Sequence, residues 1–224
     1  MKTDRSPRNF APVLQAVPLS RRERHSAAVR RTLYDTAMRL FAERGFLQTT
    51  VEDITNAADV GKGTFFNYFP SKEDLLTSFS DDRLGKIRAA LEAAEKGREL
   101  IPVILHRLYA GLNAEPGRAP ELARSMLLTM LSSETVRQKL RPRFAQGRAM
   151  MTKIFRIGQE RGEVRRDVAA SELAQSFKES YLGSLLCWSL TPSTRLSVTV
   201  NRAFEHFWSA AAAEARAERK GKEQ

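Results

Sequence analysis

Cysteine occurs once in the 224 residues, at Cys187, so the chain forms no internal disulfide and cannot build a cysteine-rich zinc site. Histidine occurs three times, at His25, His106 and His206, too widely spaced for a short metal-ligand motif. No apolar run approaches the roughly 18–20 residues a helix needs to cross a bilayer. The N-terminus lacks the apolar core of a secretory signal. There is no phosphate-binding glycine loop, no repeat, no low-complexity tract and no useful length of strand-like alternation. These absences lead to the expectation of a helical protein in a reducing cytoplasm, with no metal, no cofactor and no membrane partner. One nucleophile set is imaginable, Cys187 with His206 and Glu205, and it defines a rival cysteine-enzyme reading. Its helices read as buried, so a non-enzymatic role is preferred.

Acidic residues are outnumbered: 37 Lys and Arg face 26 Asp and Glu, a net charge of +11, which suits a polyanionic partner such as nucleic acid. The excess is spread over both halves, so it supports such a partner without locating it. Residues 1–31 are arginine-rich and acid-poor, with Pro7, Pro12 and Pro18 along them. A transit peptide and a basic arm are both consistent with this; an arm over 1–19, disordered by composition, is the expectation.

The most informative stretch runs from Thr49 to Leu76, TTVEDITNAADVGKGTFFNYFPSKEDLL. Thr50 followed by Asp53 is a capping box, so a helix starts at Val51, and Val51, Ile54 and Ala58 recur on one face of it. Asp59-Val60-Gly61 then interrupts the pattern with turn-tolerant residues. A second short helix opens at Lys62-Gly63-Thr64, carries Phe65 and Phe69 four apart, and stops at Pro70. Ser71 with Asp74 predicts the start of a third. Two short helices joined by a three-residue turn form a helix-turn-helix, whose second helix enters the DNA major groove.

Within that stretch, VGKGTFFNYFPSKEDLL resembles the recognition helix of the TetR family of bacterial transcriptional regulators. The shared residues are Lys62, Gly63, Thr64, Tyr68, Phe69, Ser71, Lys72, Glu73 and Leu75. The segment AMRLFAERGFLQTTVEDI, from Ala37 to Ile54, also resembles the family's pattern closely. Three residues depart from the pattern. Gly61 stands for the usual capping serine, and Asp59 for the turn glycine, which is feasible because Asp enters the left-handed region more readily than most residues. Phe66 replaces a tyrosine whose hydroxyl, in the family, commonly meets a DNA phosphate.

The rest of the chain reads as helices throughout. A first one is expected from about 20 or 21 to 43, ended by Gly45, with Val29, Leu33, Ala37, Leu40 and Phe41 as its apolar stripe and Arg22, Arg30 and Arg31 elsewhere. A long helix is expected from 71 to Gly97, then helices over 100–112 and 121–131 separated by Pro116-Gly117 and Pro120. From 133 to 161, Pro142 leaves either two helices or one kinked helix. Two more are expected over 171–190 and 193–215, separated by Thr191-Pro192. The expected architecture is therefore all-α: a helix-turn-helix DNA-binding domain over 20–70, a helical ligand-binding and dimerisation domain over 71–218, and a tail over 219–224.

The resemblance implies residue roles. Thr64, Asn67 and Tyr68 are the exposed polar positions of the recognition helix, and Asn67 is the candidate for a base-edge contact, with a phosphate bond as the equal alternative. Thr50, Lys62 with the Gly63 amide, and Lys72 are the candidate phosphate anchors. The candidate lining of the ligand cavity is His106, Tyr109, Met126, Met130, Phe155, Tyr181 and Trp188, with Phe144, Met150, Met151 and Arg124 also considered; plain core packing of the large side chains, and a solvated surface for His106 and Arg124, are the preferred alternatives, and an effector would be apolar or aromatic. The final two helices should pair with their symmetry mate through Phe177, Leu185, Phe204, Phe207 and Trp208. The whole implies a homodimeric regulator on a palindromic operator, released by an unknown small molecule. A basic protein that coats DNA without regulating it is the alternative.

Overall fold

The computed structural model describes residues 20–114 and 116–213, and these form nine α-helices and one 3-10 turn with no strand among the described residues. In chain order they are α1 (Arg21–Arg44), α2 (Val51–Ala57), α3 (Lys62–Tyr68), α4 (Glu73–Lys96), α5 (Ile101–Leu112), the 3-10 turn (Pro116–Arg118), α6 (Pro120–Ser132), α7 (Glu134–Arg161), α8 (Ala170–Leu190) and α9 (Leu196–Ala211). None of the helices is long and apolar enough to cross a membrane.

Local chemistry accounts for most boundaries. Ser20 and Glu23 close a capping box at the start of α1, and Gly45, at φ 84, ends it. The expected Thr50 and Asp53 box starts α2. Asp59 carries the turn at φ 53, the left-handed geometry its side chain tolerates. Phe69 is extended before Pro70, which ends α3. Pro142 lies inside one continuous α7, which decides between the two readings of that segment.

Two starts differ from expectation. Ser71 does not cap α4: the helix opens at Glu73, Lys72 already has helical angles, and no side chain caps it. The Ser71 hydroxyl instead donates to the Asp74 carboxylate (2.6 Å), which also receives the Lys139 ammonium of α7 (2.8 Å). The last helix opens at Leu196 rather than 193, because the Trp188 indole donates to the Thr194 carbonyl (2.7 Å) and holds the connection out of helical form. It stops at Ala211, where the chain turns to pair with residues 163–165 through Ala213 N to Glu163 O (3.1 Å) and Arg165 N to Ala211 O (3.1 Å). The expected arm over 1–19 and the tail over 219–224 lie outside the described residues.

Two apolar cores result. The larger joins α5, α8, α9 and the second halves of α4 and α7. The other holds the head formed by α1, α2 and α3, but it does not stop at residue 70. It includes Leu75 and Leu76 of α4, Leu122 and Met126 of α6, and Val136 and Leu140 of α7. The reason is area: α2 and α3, seven residues each, leave part of the α1 stripe bare, and α6 packs along it. The buried Phe46 amide, donating to the Ser125 hydroxyl of α6 (3.0 Å), fixes this contact.

Candidate nucleic-acid interface and internal cleft

Helix α3 has two unlike faces. Phe65 is fully buried, with Phe69 and Phe66 ring centroids 5.6 and 5.4 Å from its own. Outward stand Lys62, Gly63, Phe66 and Asn67, all exposed, while Thr64 and Tyr68 are half-buried. A side chain at Gly63 would meet nothing of the protein within 4 Å, so internal packing does not call for glycine there. Gly61, not Gly63, is the N-cap of α3.

The two other candidate anchors are engaged within the protein. The Thr50 hydroxyl and amide both donate to Asp53 (2.7 and 2.8 Å), whose carboxyl these bonds hold below its ordinary value. Lys72 turns inward: its ammonium donates to the carbonyls of Phe46 and Thr49 (2.7 Å each) and lies 4.3 Å from the Phe46 ring centroid. Burial pushes this ammonium below its ordinary value, against the pull of Glu73 and Asp53. Lys72, expected as a phosphate anchor, thus pins the start of α4 to the loop between α1 and α2. Arg30 is also tied down, donating to Ser78 (2.9 Å) with its guanidinium 5.1 Å from the Phe69 ring centroid.

Between α4, α7 and α8 lies a cleft in two adjoining compartments. Ser80, Arg83, Phe144, Tyr181 and Leu182 line both. The inner compartment is floored by Leu76, Phe79, Met126, Met130 and Leu140; the outer is walled by Leu84, Ile87, Met151 and Phe177 and edged by Arg143, Arg148 and Lys178. At the junction, Arg83 donates through one terminal nitrogen to the Leu112 carbonyl (3.0 Å) and the Tyr181 hydroxyl (2.8 Å), with its guanidinium 4.6 Å from the Tyr181 ring centroid. The lining, mostly apolar with a few polar groups, suits a small organic molecule.

A head with one exposed helix and a separate internal cleft is an architecture that comparison can place. Residues 33–79 match the family model for bacterial regulatory proteins of the tetR family. Over 165 residues, 70% of this chain and 81% of the relative, the sequence is 32% identical to the HTH-type transcriptional repressor DhaR of Mycobacterium sp. (strain GP1). The chain belongs to the TetR family. It is a DNA-binding transcriptional regulator. Its fold is similar to that of the transcriptional regulator FadR from Bacillus subtilis, solved with stearoyl-CoA, at a TM-score of 0.66 and 23% identity, covering 80% of this chain and 97% of the other. Thermus thermophilus FadR, solved with lauroyl-CoA, gives 0.59 and 25% identity, covering 87% and 100%.

Against the TetR-family expectation, the cleft collects only some of the expected pocket residues. Met126, Met130 and Tyr181 line it, as do Phe144 and Met151. His106 is exposed on α5, its ring edge against Phe204, and Arg124 is exposed and paired with Glu121. Tyr109, Phe155 and Trp188 are packed into the larger core, where Tyr109 meets Phe177, Tyr181 and Phe204. Periodicity showed that these positions face inward, not that the space beside them is filled. Sequence reasoning missed Arg83, Arg143, Arg148 and Lys178 at the cleft. Their signal was a cation falling on the apolar side of a helix, as Arg83 does one residue before Leu84.

The expected dimer residues divide in the same way. Phe177, Leu185 and Phe204 are buried within the single chain, and Phe207 and Trp208 pack partly buried against that core. The apolar residues that α8 and α9 leave outside are Leu186, Leu190 and Val198, 44%, 65% and 54% exposed. Cys187 shares this outer face and is exposed rather than buried; no hydrogen bond joins it to His206 or Glu205 among the described residues.

Proposed function

We propose that this regulator is a homodimeric repressor of a palindromic operator, and that an apolar small molecule bound in the α4–α7–α8 cleft lowers its operator affinity. One observation carries the reading: Leu76, Phe79, Met126, Met130 and Leu140 floor the cleft and also belong to the core that supports the head. A molecule that needs more room in the inner compartment therefore acts on the packing of α4 and α6 against α1. Packed cores switch between discrete arrangements rather than deform smoothly, so the two states differ in how the head is held. The ligand shifts the population only by as much as it prefers one of them. The long-chain ligands of the FadR structures show that this fold has room for apolar chains in other members.

On the DNA side, Asn67 is proposed to read a base edge, and Lys62 with the Gly63 amide to hold a phosphate, with Thr64 and Tyr68 at the margin of the contact. The two recognition helices meet successive major grooves when two copies pair through the outer faces of α8 and α9, with Leu186, Leu190 and Val198 in the contact.

The test is a footprint on DNA upstream of the protein's own gene, repeated with compounds that raise its melting temperature. A sharp two-fold site that is lost on adding such a compound supports the reading. A featureless footprint supports a DNA-coating role, and a sharp site that no stabilising compound disturbs contradicts control through the cleft.

A further inference from the structure

Arg83 is the one charged side chain among the described residues at the junction of the two compartments, and it has no counter-charge among them. Its neighbours on α4 are engaged elsewhere: Asp81 pairs with Arg143 (2.7 Å) and Asp82 with Lys86 (2.7 Å). Among the described residues no Asp or Glu lines either compartment. The two hydrogens of one terminal nitrogen serve the Leu112 carbonyl and the Tyr181 hydroxyl, and the Nε and Nη2 hydrogens make no hydrogen bond among the described residues. Those two groups form the side-on edge of the guanidinium, which matches the two oxygens of a carboxylate. Arg148 and Lys178, at the rim, also make no side-chain ion pair or hydrogen bond among the described residues. A half-buried guanidinium without a counter-charge forgoes part of its hydration, and an anion delivered beside it restores that stabilisation.

We propose that the ligand of this cleft is an apolar carboxylic acid, bound as its carboxylate, with the head seated on the free edge of Arg83 and the chain lying over Leu76, Met126, Met130 and Leu140. Arg148 and Lys178 attract the anion toward the opening. This rests on the effector reading above and sharpens it. A free carboxylate uses the guanidinium edge, whereas a neutral head leaves it without a counter-charge and a thioester brings its charge on a remote group.

The experiment is calorimetric titration of the full chain with dodecanoic acid, dodecanol and lauroyl-CoA, together with operator release by each. Dodecanoate is expected to bind at least about tenfold more tightly than dodecanol, the scale of one charge-assisted hydrogen bond. Arg83→Gln should erase that preference while leaving dodecanol binding where it was. Because Arg83 also holds Tyr181 and the end of α5, the double variant Arg148→Gln, Lys178→Gln gives an independent test. It should weaken dodecanoate, flatten the salt dependence of its binding, and spare dodecanol. Equal binding of acid and alcohol overturns the proposal, as does a preference that survives in both variants. Binding and operator release by lauroyl-CoA but not by the free acid overturns the carboxylate head and leaves the effector reading standing. If none of the three binds, both fall.

Discussion

The Phe46 amide donates to the Ser125 hydroxyl over 3.0 Å, a buried bond between residues 79 apart in the chain. It joins the loop after α1 to α6, one residue before Met126 enters the floor of the cleft. Head and cleft thus share a strut as well as a core. Ser125→Ala leaves the Phe46 amide buried without a partner and should cost about 1–3 kcal/mol, lowering the melting temperature by several degrees. It should also reduce the effect of cleft ligands on operator binding. Melting scans and operator titrations with and without ligand check both; unchanged values would remove the strut.

Lys72 and Lys62 should behave oppositely on substitution. Lys72→Ala removes two charge-assisted bonds to the Phe46 and Thr49 carbonyls, so it should lower melting clearly and leave the salt slope of DNA binding largely intact. Lys62→Ala, on an exposed side chain, should leave melting unchanged and reduce the salt slope by about 1 per half-site. Titrations on operator and scrambled duplexes at several salt concentrations separate them. A slope change for Lys72 without loss of stability would restore it as a phosphate anchor.

On the outer face of α3, Asn67→Ala should cost about 1–3 kcal/mol at the operator, relax preference at one base pair in each half-site and leave the salt slope alone. Phe66→Tyr adds a hydroxyl at an exposed position and should tighten binding to any duplex modestly without altering sequence choice. If Asn67→Ala weakens operator and scrambled DNA equally, Asn67 is an anchor and not a reader.

Asp74 gives a pH signature. Burial alone would raise its carboxyl, but the bonds from Lys139 and Ser71 and the Lys139 charge outweigh it and hold it below its ordinary value. A carboxyl lowered in the folded state contributes stability that is complete above its unfolded value, about 3.9, and is lost as pH falls through the folded one. The melting difference between the native chain and Asp74→Asn should therefore be full near pH 6 and close below about pH 4. A difference that does not change with pH would mean that the Asp74 charge plays no part.

The helix-turn-helix was legible because local rules decide it: the Thr50 box, the left-handed Asp59 and the stop at Pro70 each act within a few residues. The partition of α8 and α9 was not. Phe204 and Val198 both read as apolar helix positions, and only the packing of α5 against α9 decides that Phe204 is covered within the chain while Val198 is left outside. The internal bonds of Lys72 were hidden for a related reason, since the carbonyls that hold it lie 23 and 26 residues away. The cleft was the least legible part, because a void is set by where side chains fail to meet, and Arg83 shows its lack of a counter-charge only once α4, α5 and α8 are assembled.

Linkage makes the proposed coupling of cleft and operator measurable in one experiment: the dissociation constant of dodecanoate for the free protein and for the protein saturated with operator. Coupled sites change each other's affinity by the same factor, typically about 5- to 150-fold. Operator is expected to weaken dodecanoate binding by the factor with which dodecanoate weakens operator binding. Equal dissociation constants for free and operator-bound protein would contradict it.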